Sequence, residues 1–142
     1  MRIEFIIPVR PITKKNSQQI ITVRGRNILI PSKQYREFEK ECLPYLNHVK
    51  ATTGVINYPI NLQTIFYVEK RLKYDLSNLH EAIDDAMVKS GLLLDDNRDI
   101  IAAHDGSRVY HDKFNPRIEI TITKMEDYTQ WRDTILEQQK LL

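Results

Sequence analysis

Apolar residues along the chain switch between two periods, and the switches mark its elements. In "RIEFIIPV" Ile3, Phe5 and Ile7 fall on every second position, which predicts a strand ended by Pro8 and Pro11. The basic, polar segment "RPITKKNSQQIITVRGRNILIPS" follows, and Gly25 predicts a β-ribbon around "VRGRN". In "KQYREFEKECLPYL" the residues Tyr35, Phe38, Cys42 and Tyr45 or Leu46 recur at helical spacing. Ser32 stands where the helix cap belongs and Pro44 near the expected end. After a loop with Gly54, "INLQTIFYVEK" returns to period two through Ile60, Leu62, Phe66 and Val68.

A second helix is predicted over "NLHEAIDDAMVKS", capped by Ser77 and stopped by Gly91. Its core stripe is Leu79, Ile83, Ala86 and Met87, while Asn78, Glu81 and Asp85 share another face. "LLLDDNRDIIAAHDG" then carries Asp95 and Asp96 out of a turn into a strand from about Arg98. "PRIEITITK" closes the sheet by alternating Ile118, Ile120 and Ile122 with Glu119, Thr121 and Thr123. From Asp127, Tyr128, Trp131, Ile135 and Leu142 recur at helical intervals, so residues 126–142 form a peripheral helix or half of a contact with a partner. The order predicts one α/β domain over residues 1–142: a small mixed four-stranded sheet, two main helices and a C-terminal helical extension.

Composition narrows the function by exclusion. At 142 residues, 42% hydrophobic and 28% charged, the chain can bury a core of its own. Its N-terminal apolar run is too short for a signal peptide and nothing approaches a membrane span, so a cytoplasmic location is expected. The single Cys42 leaves no internal disulfide and no Cys-based zinc site. The four histidines show no HxH or HxxxH spacing, which argues against a His-built zinc site, and His80 is only a secondary candidate for a general base. With four glycines there is no phosphate-cradling loop and no nucleophile elbow, so ATP hydrolysis and serine chemistry are set aside.

Charge is more telling than its net value of +2. Through Arg36 the chain carries eight basic side chains against Glu4 alone; beyond it, thirteen bases meet eighteen acids. A basic surface for a polyanion and an acidic pocket elsewhere would give this asymmetry, and so would a solvated charge pattern. The acids gather between Arg71 and Ile100: Asp75, Glu81, Asp84, Asp85, Asp95, Asp96 and Asp99. Acids in a first helical turn favour the helix dipole, and "DD" before a strand is a common turn. The alternative is a hard divalent cation such as Mg²⁺, held by Asp75, Asp95 and Asp96 from two strand ends, with Glu81 and Asp85 added from the helix. Such a site can activate water and neutralise charge on a phosphodiester.

The stretch "YDLSNLHEAIDDAMVKSGLLLDDNRDI" resembles the RusA family of Holliday junction resolvases, endonucleases often carried by prophages. That family shows Asp-x-Asp-Asn at a helix start, a Lys four residues after the second Asp, then a Gly and an Asp-Asp pair. Asp75, Asn78, Asp85, Gly91, Asp95 and Asp96 match in register, and "PVRPITKKNS" and "IPSKQYREFEKE" extend the likeness to nearly the whole chain up to Lys124. The resemblance implies a Mg²⁺-dependent endodeoxyribonuclease (Mn²⁺ substituting) that acts as a homodimer on four-way DNA junctions in recombination and repair. Asp75, Asp95, Asp96 and Glu81 would be its catalytic residues, and Asp75, Asp95, Asp96 and Asp85 its metal ligands. Lys14, Lys15, Arg24 and Arg26, with Lys70, Arg71 and Lys73, would hold phosphates. Asn16 is either a DNA contact or a turn residue, and Tyr74 either stacks on an unpaired base or is buried. Ser77 replaces the second Asp and Glu81 the Lys. Glu81 either restores the lost charge one turn later, or the pair marks a weakened or inactive relative that binds junctions without cutting.

Overall fold

A computed structural model describes residues 1–14 and 18–141, the side chains of Gln18 and Gln19 excepted. Lys15, Asn16 and Leu142 lie outside the described residues. The chain runs β1 (Arg2–Ile7), β2 (Gln18–Val23), β3 (Arg26–Pro31), α1 (Lys33–Thr53), β4 (Ile60–Val68), α2 (Leu76–Ser90), β5 (Ile101–Ala103), β6 (Arg108–His111), β7 (Arg117–Lys124) and α3 (Glu126–Lys140).

Among the described residues the main sheet has five strands, where four were expected. β7 pairs antiparallel with β1 on one side and with β4 on the other. The other edge of β4 carries both β5 and β6 in parallel. The strand expected from Arg98 begins at Ile101 and is cut in two by a turn around Gly106 (φ 84°). Side chains bridge the break. Asn61 exchanges hydrogen bonds with the Asp105 backbone at 2.8 and 3.2 Å, and Ser107 Oγ accepts from the Thr64 N–H at 3.0 Å. β2 and β3 form the separate ribbon that Gly25 predicted.

One face of the sheet holds the core. Ile60, Leu62, Thr64, Phe66 and Val68 of β4, and Ile118, Ile120 and Ile122 of β7, are buried, whereas the residues between them on β4 are half-exposed. Each such aliphatic side chain gains about 1.5–3 kcal/mol on burial. A one-residue slip would expose the whole set, so the alternation fixes the register. α1 brings Tyr35, Phe38, Cys42, Leu46 and Val49 to this face, and α2 brings Leu79, Ile83, Ala86 and Met87. Ser32 caps α1 by accepting from the Tyr35 N–H at 3.1 Å.

Two helix ends differ from expectation. α1 runs nine residues past Pro44 to Thr53. Proline deprives the carbonyl four residues earlier of its partner, and here Pro44 and Lys40 are on the exposed side, where water can serve it. α2 is capped by Asp75 instead of Ser77: the Asp75 Oδ1 accepts from the Ser77 N–H at 3.0 Å. At the far end Gly91 adopts the left-handed conformation (φ 81°) that stops the helix, as predicted. α3 has no buried residue; it touches the rest of the chain where Arg132 donates to the Asp99 carbonyl at 3.3 Å. Among the described residues no helix is long and apolar enough to cross a membrane.

Candidate metal and nucleic-acid site

Asp75 ends the loop from β4 and opens α2. One carboxylate oxygen caps the helix; Oδ2 makes no hydrogen bond among the described residues, and the residue is exposed. The N-terminal end of a helix favours a carboxylate and any phosphate brought to it. Glu81, one turn after Ser77, is exposed on the helix surface. Lys70, Arg71 and Lys73 occupy the loop just before Asp75 and are exposed. Beside this loop a groove is lined by Arg10, Thr13, Gln34, Lys70, Leu72 and Tyr74. Tyr74 is half-buried against the core, between the two uses expected for it.

Asp95 and Asp96 lie in the exposed loop between α2 and β5. Asp95 is occupied with shaping that loop: Oδ1 accepts from the Asp96 N–H at 2.7 Å and Oδ2 from the Asn97 side-chain amide at 3.2 Å. The Asp96 carboxylate has no such bond among the described residues, and its charge bears on the buried Asp84.

Sequence reasoning missed what surrounds that carboxyl. Among the described residues, the one group of three or more ligand-type side chains with converging atoms is His80, Asp84 and His104, whose ligand atoms lie within 4.8 Å of one another. His80 and Asp84 are 7% and 8% exposed. They are four residues apart on α2 and interrupt its apolar stripe, a signal the sequence carried. His104 follows β5 and is turned towards α2 by the break in the sheet edge. Its Nδ1 lies 3.0 Å from the Leu62 carbonyl and its Nε2 3.1 Å from Asp84 Oδ2. The ring of His80 lies 3.9 Å from that of His104 and meets Phe66 edge-on at 5.2 Å.

These three groups perturb one another. Burial, with His104 beside it, pulls His80 down to about 4. Burial raises the Asp84 carboxyl and Asp96 adds to the rise, against the opposing pull of His104. Burial works against charge on His104, but its hydrogen bond to Asp84 and the charge there outweigh it, so His104 stands above its ordinary value. Shifts of this kind gather where a site handles protons or cations.

Asp85 faces elsewhere. Its Oδ2 accepts from the Tyr35 hydroxyl, with Lys14 Nζ at 3.4 Å and Lys89 Nζ at 3.3 Å. Lys14, expected to hold phosphate, therefore has an acid of its own chain beside it. Arg24 and Arg26 flank the exposed tip of the β2–β3 ribbon, where Arg24 takes φ 51° ahead of Gly25.

The model of the family described as "Endodeoxyribonuclease RusA" matches residues 8–123. The chain belongs to the RusA family. That match runs from the first loop through β7 and includes both acidic loops, the basic loop before Asp75 and the His80–Asp84–His104 group. α3 falls outside it. The family implies an endodeoxyribonuclease of the Holliday junction resolvase type, with DNA as substrate. No protein of curated function matches the chain.

Proposed function

We propose that this RusA-family chain is a Mg²⁺-dependent, structure-selective endodeoxyribonuclease, and that it resolves Holliday junctions by paired symmetric incisions as a homodimer during recombination and repair. The observation that carries the reading is the family match over residues 8–123, which spans every acid assigned to the site.

Asp75 and Asp96 are the proposed metal ligands with carboxylate oxygens to offer. Asp95 sets the loop that presents Asp96, and Glu81 supplies negative charge where Ser77 has none. Oxygen donors of this kind suit a hard ion that keeps several waters. The chemistry such an ion supplies is activation of water and neutralisation of charge on the scissile phosphate. Lys70, Arg71 and Lys73 neutralise neighbouring phosphates and fix the register of the strand, and Arg24 and Arg26 do so from the ribbon. Two-fold symmetry in a homodimer would match two such sites to the two strands cut at a junction.

The test is a synthetic four-way junction incubated with Mg²⁺ or Mn²⁺. Wild-type protein should make symmetric cuts, and Asp75→Asn should bind the junction without cutting it. A second reading, a non-catalytic junction binder, is favoured by Ser77 and Glu81 standing where the family has Asp and Lys. It predicts tight binding without incision in either metal, and cutting awakened by Ser77→Asp with Glu81→Lys. That double change should alter little if Glu81 already compensates.

A further inference from the structure

The His80–Asp84–His104 group contains an arrangement of lone pairs that its own protons satisfy poorly. The Leu62 carbonyl can only accept, so His104 Nδ1 carries the hydrogen in the 3.0 Å contact. This leaves the Nε2 lone pair facing Asp84 Oδ2, also an acceptor, at 3.1 Å. Two acceptors at that distance require a proton or a metal ion between them. Asp84 Oδ1 and both ring nitrogens of His80 are buried with no hydrogen-bond partner among the described residues. Buried polar atoms are nearly always paired, so three orphans in one group mark a missing partner. A proton on His104 or on Asp84 would serve that one contact alone. It would leave the three orphans untouched and, if carried by His104, set an imidazolium against the His80 ring at 3.9 Å.

We propose that His80, Asp84 and His104 bind a borderline divalent cation of the Zn²⁺ type, at a centre separate from the oxygen-ligand site of Asp75 and Asp96. Two imidazoles and one carboxylate form a donor set that suits Zn²⁺ and its neighbours and suits Mg²⁺ poorly. His80 and Asp84 sit at i and i+4, adjacent on one face of α2. The hydrogen bond from His104 Nδ1 to a backbone carbonyl is the kind of outer contact that orients a ligating imidazole and frees its other nitrogen. The three side chains join α2 to the parallel edge of the sheet, at the break between β5 and β6. The ion therefore ties the helix that Asp75 caps to the strand beside it. Three protein ligands leave a further coordination position for water.

The test uses the full chain stripped with chelator and titrated with Co²⁺, whose visible absorption is intense when nitrogen-ligated in tetrahedral or five-coordinate sites and weak in octahedral oxygen sites. Wild-type protein should develop intense absorption that saturates at one Co²⁺ per chain, survives excess Mg²⁺ and is bleached by Zn²⁺. Asp75→Asn and Asp96→Asn should keep it. His104→Ala and His80→Leu should each lose it, and Zn²⁺ should raise the melting temperature of wild-type protein but not of these two variants. No intense absorption in the wild type overturns the proposal even if a variant fails to fold, and so does absorption that persists in His80→Leu. Because the readout needs neither DNA nor cleavage, its failure leaves the nuclease reading standing, and a failed cleavage assay leaves this one standing.

Discussion

The Tyr35 hydroxyl donates to Asp85 Oδ2 and so joins the first turn of α1 to the third turn of α2. The same oxygen has Lys14 and Lys89 beside it, and Lys89 also reaches Glu39 at 3.1 Å. Tyr35 is fully buried, and the phenol is held far above its ordinary range by burial and then by Asp85. Asp85 thus braces the two helices covering the sheet.

Breaking this contact should cost stability and spare the metal. A hydrogen bond to a charged group is worth about 1.5–3 kcal/mol, so Tyr35→Phe should lower the unfolding free energy by about that amount in urea. Asp85→Asn should act similarly while leaving Mn²⁺ affinity unchanged; a loss of metal binding would return Asp85 to the ligand set. Burial opposes ionisation of Asp85, but Tyr35, Lys14 and Lys89 outweigh it and its pKa is depressed. A depressed carboxyl stabilises the fold above its unfolded pKa of about 3.9, and that contribution is lost as the pH falls through the lower folded value. The stability gap between wild type and Asp85→Asn should therefore close at the acid end of that window.

Asp75 has two roles that substitution can separate. As the cap of α2 it serves the Ser77 N–H; as a proposed ligand it must be ionised. Asparagine caps a helix as well as aspartate does, whereas alanine costs about 1 kcal/mol. Asp75→Asn should therefore melt near the wild-type temperature yet fail to cut a four-way junction. Asp75→Ala should fail at both. Equal cleavage by wild type and Asp75→Asn would remove Asp75 from the site.

Gly91 is needed for its backbone. At φ 81° a side chain is strained, and an added Cβ would come within 2.7 Å of Lys50 Nζ, the flexible end of a side chain that can withdraw. The left-handed conformation alone costs about 1–2 kcal/mol for an L-residue. Gly91→Ala should lose that much in chemical denaturation, and Gly91→Asn less, since asparagine tolerates the conformation better.

Periodicity made most of the fold legible. Period two in "INLQTIFYV" and "RIEITITK" named the two central strands, and the Leu79–Ile83–Met87 stripe named the inward face of α2. The split of the last parallel strand was hidden, because the break is held by Ser107 and His104 acting on the β4 backbone and by the Asn61 side chain of β4 acting on the Asp105 backbone, groups that only the folded sheet brings together. The acidic stretch was legible as a cluster of charge but not as to which acids are occupied: Asp85 looks like Asp84 in sequence. One faces Tyr35 and two lysines, the other two histidines. His80 and Asp84 sit among the apolar positions of α2, where a buried polar pair is costly without partners. That cost was the sign that something in the core meets them.

Not every basic residue of the first third should contribute to DNA binding. Arg10 pairs with Glu69 at 3.3 Å and Lys14 with Asp85, whereas Arg24 and Arg26 are exposed on the ribbon and Lys70, Arg71 and Lys73 on the loop before Asp75. Each phosphate neutralised adds about 0.9 to the slope of log affinity against log salt for duplex DNA. Arg24→Ala, Arg26→Ala and Lys73→Ala should each weaken junction binding and flatten that slope by close to one phosphate. Lys14→Ala should instead leave the slope nearly unchanged and lower thermal stability, since its ammonium sits beside the Tyr35–Asp85 brace. Fluorescence anisotropy with a labelled junction, measured over a range of salt concentrations, reads both quantities for the binder and the nuclease alike. A flattened slope for Lys14→Ala with unchanged stability would mean that the residue leaves Asp85 to reach the DNA.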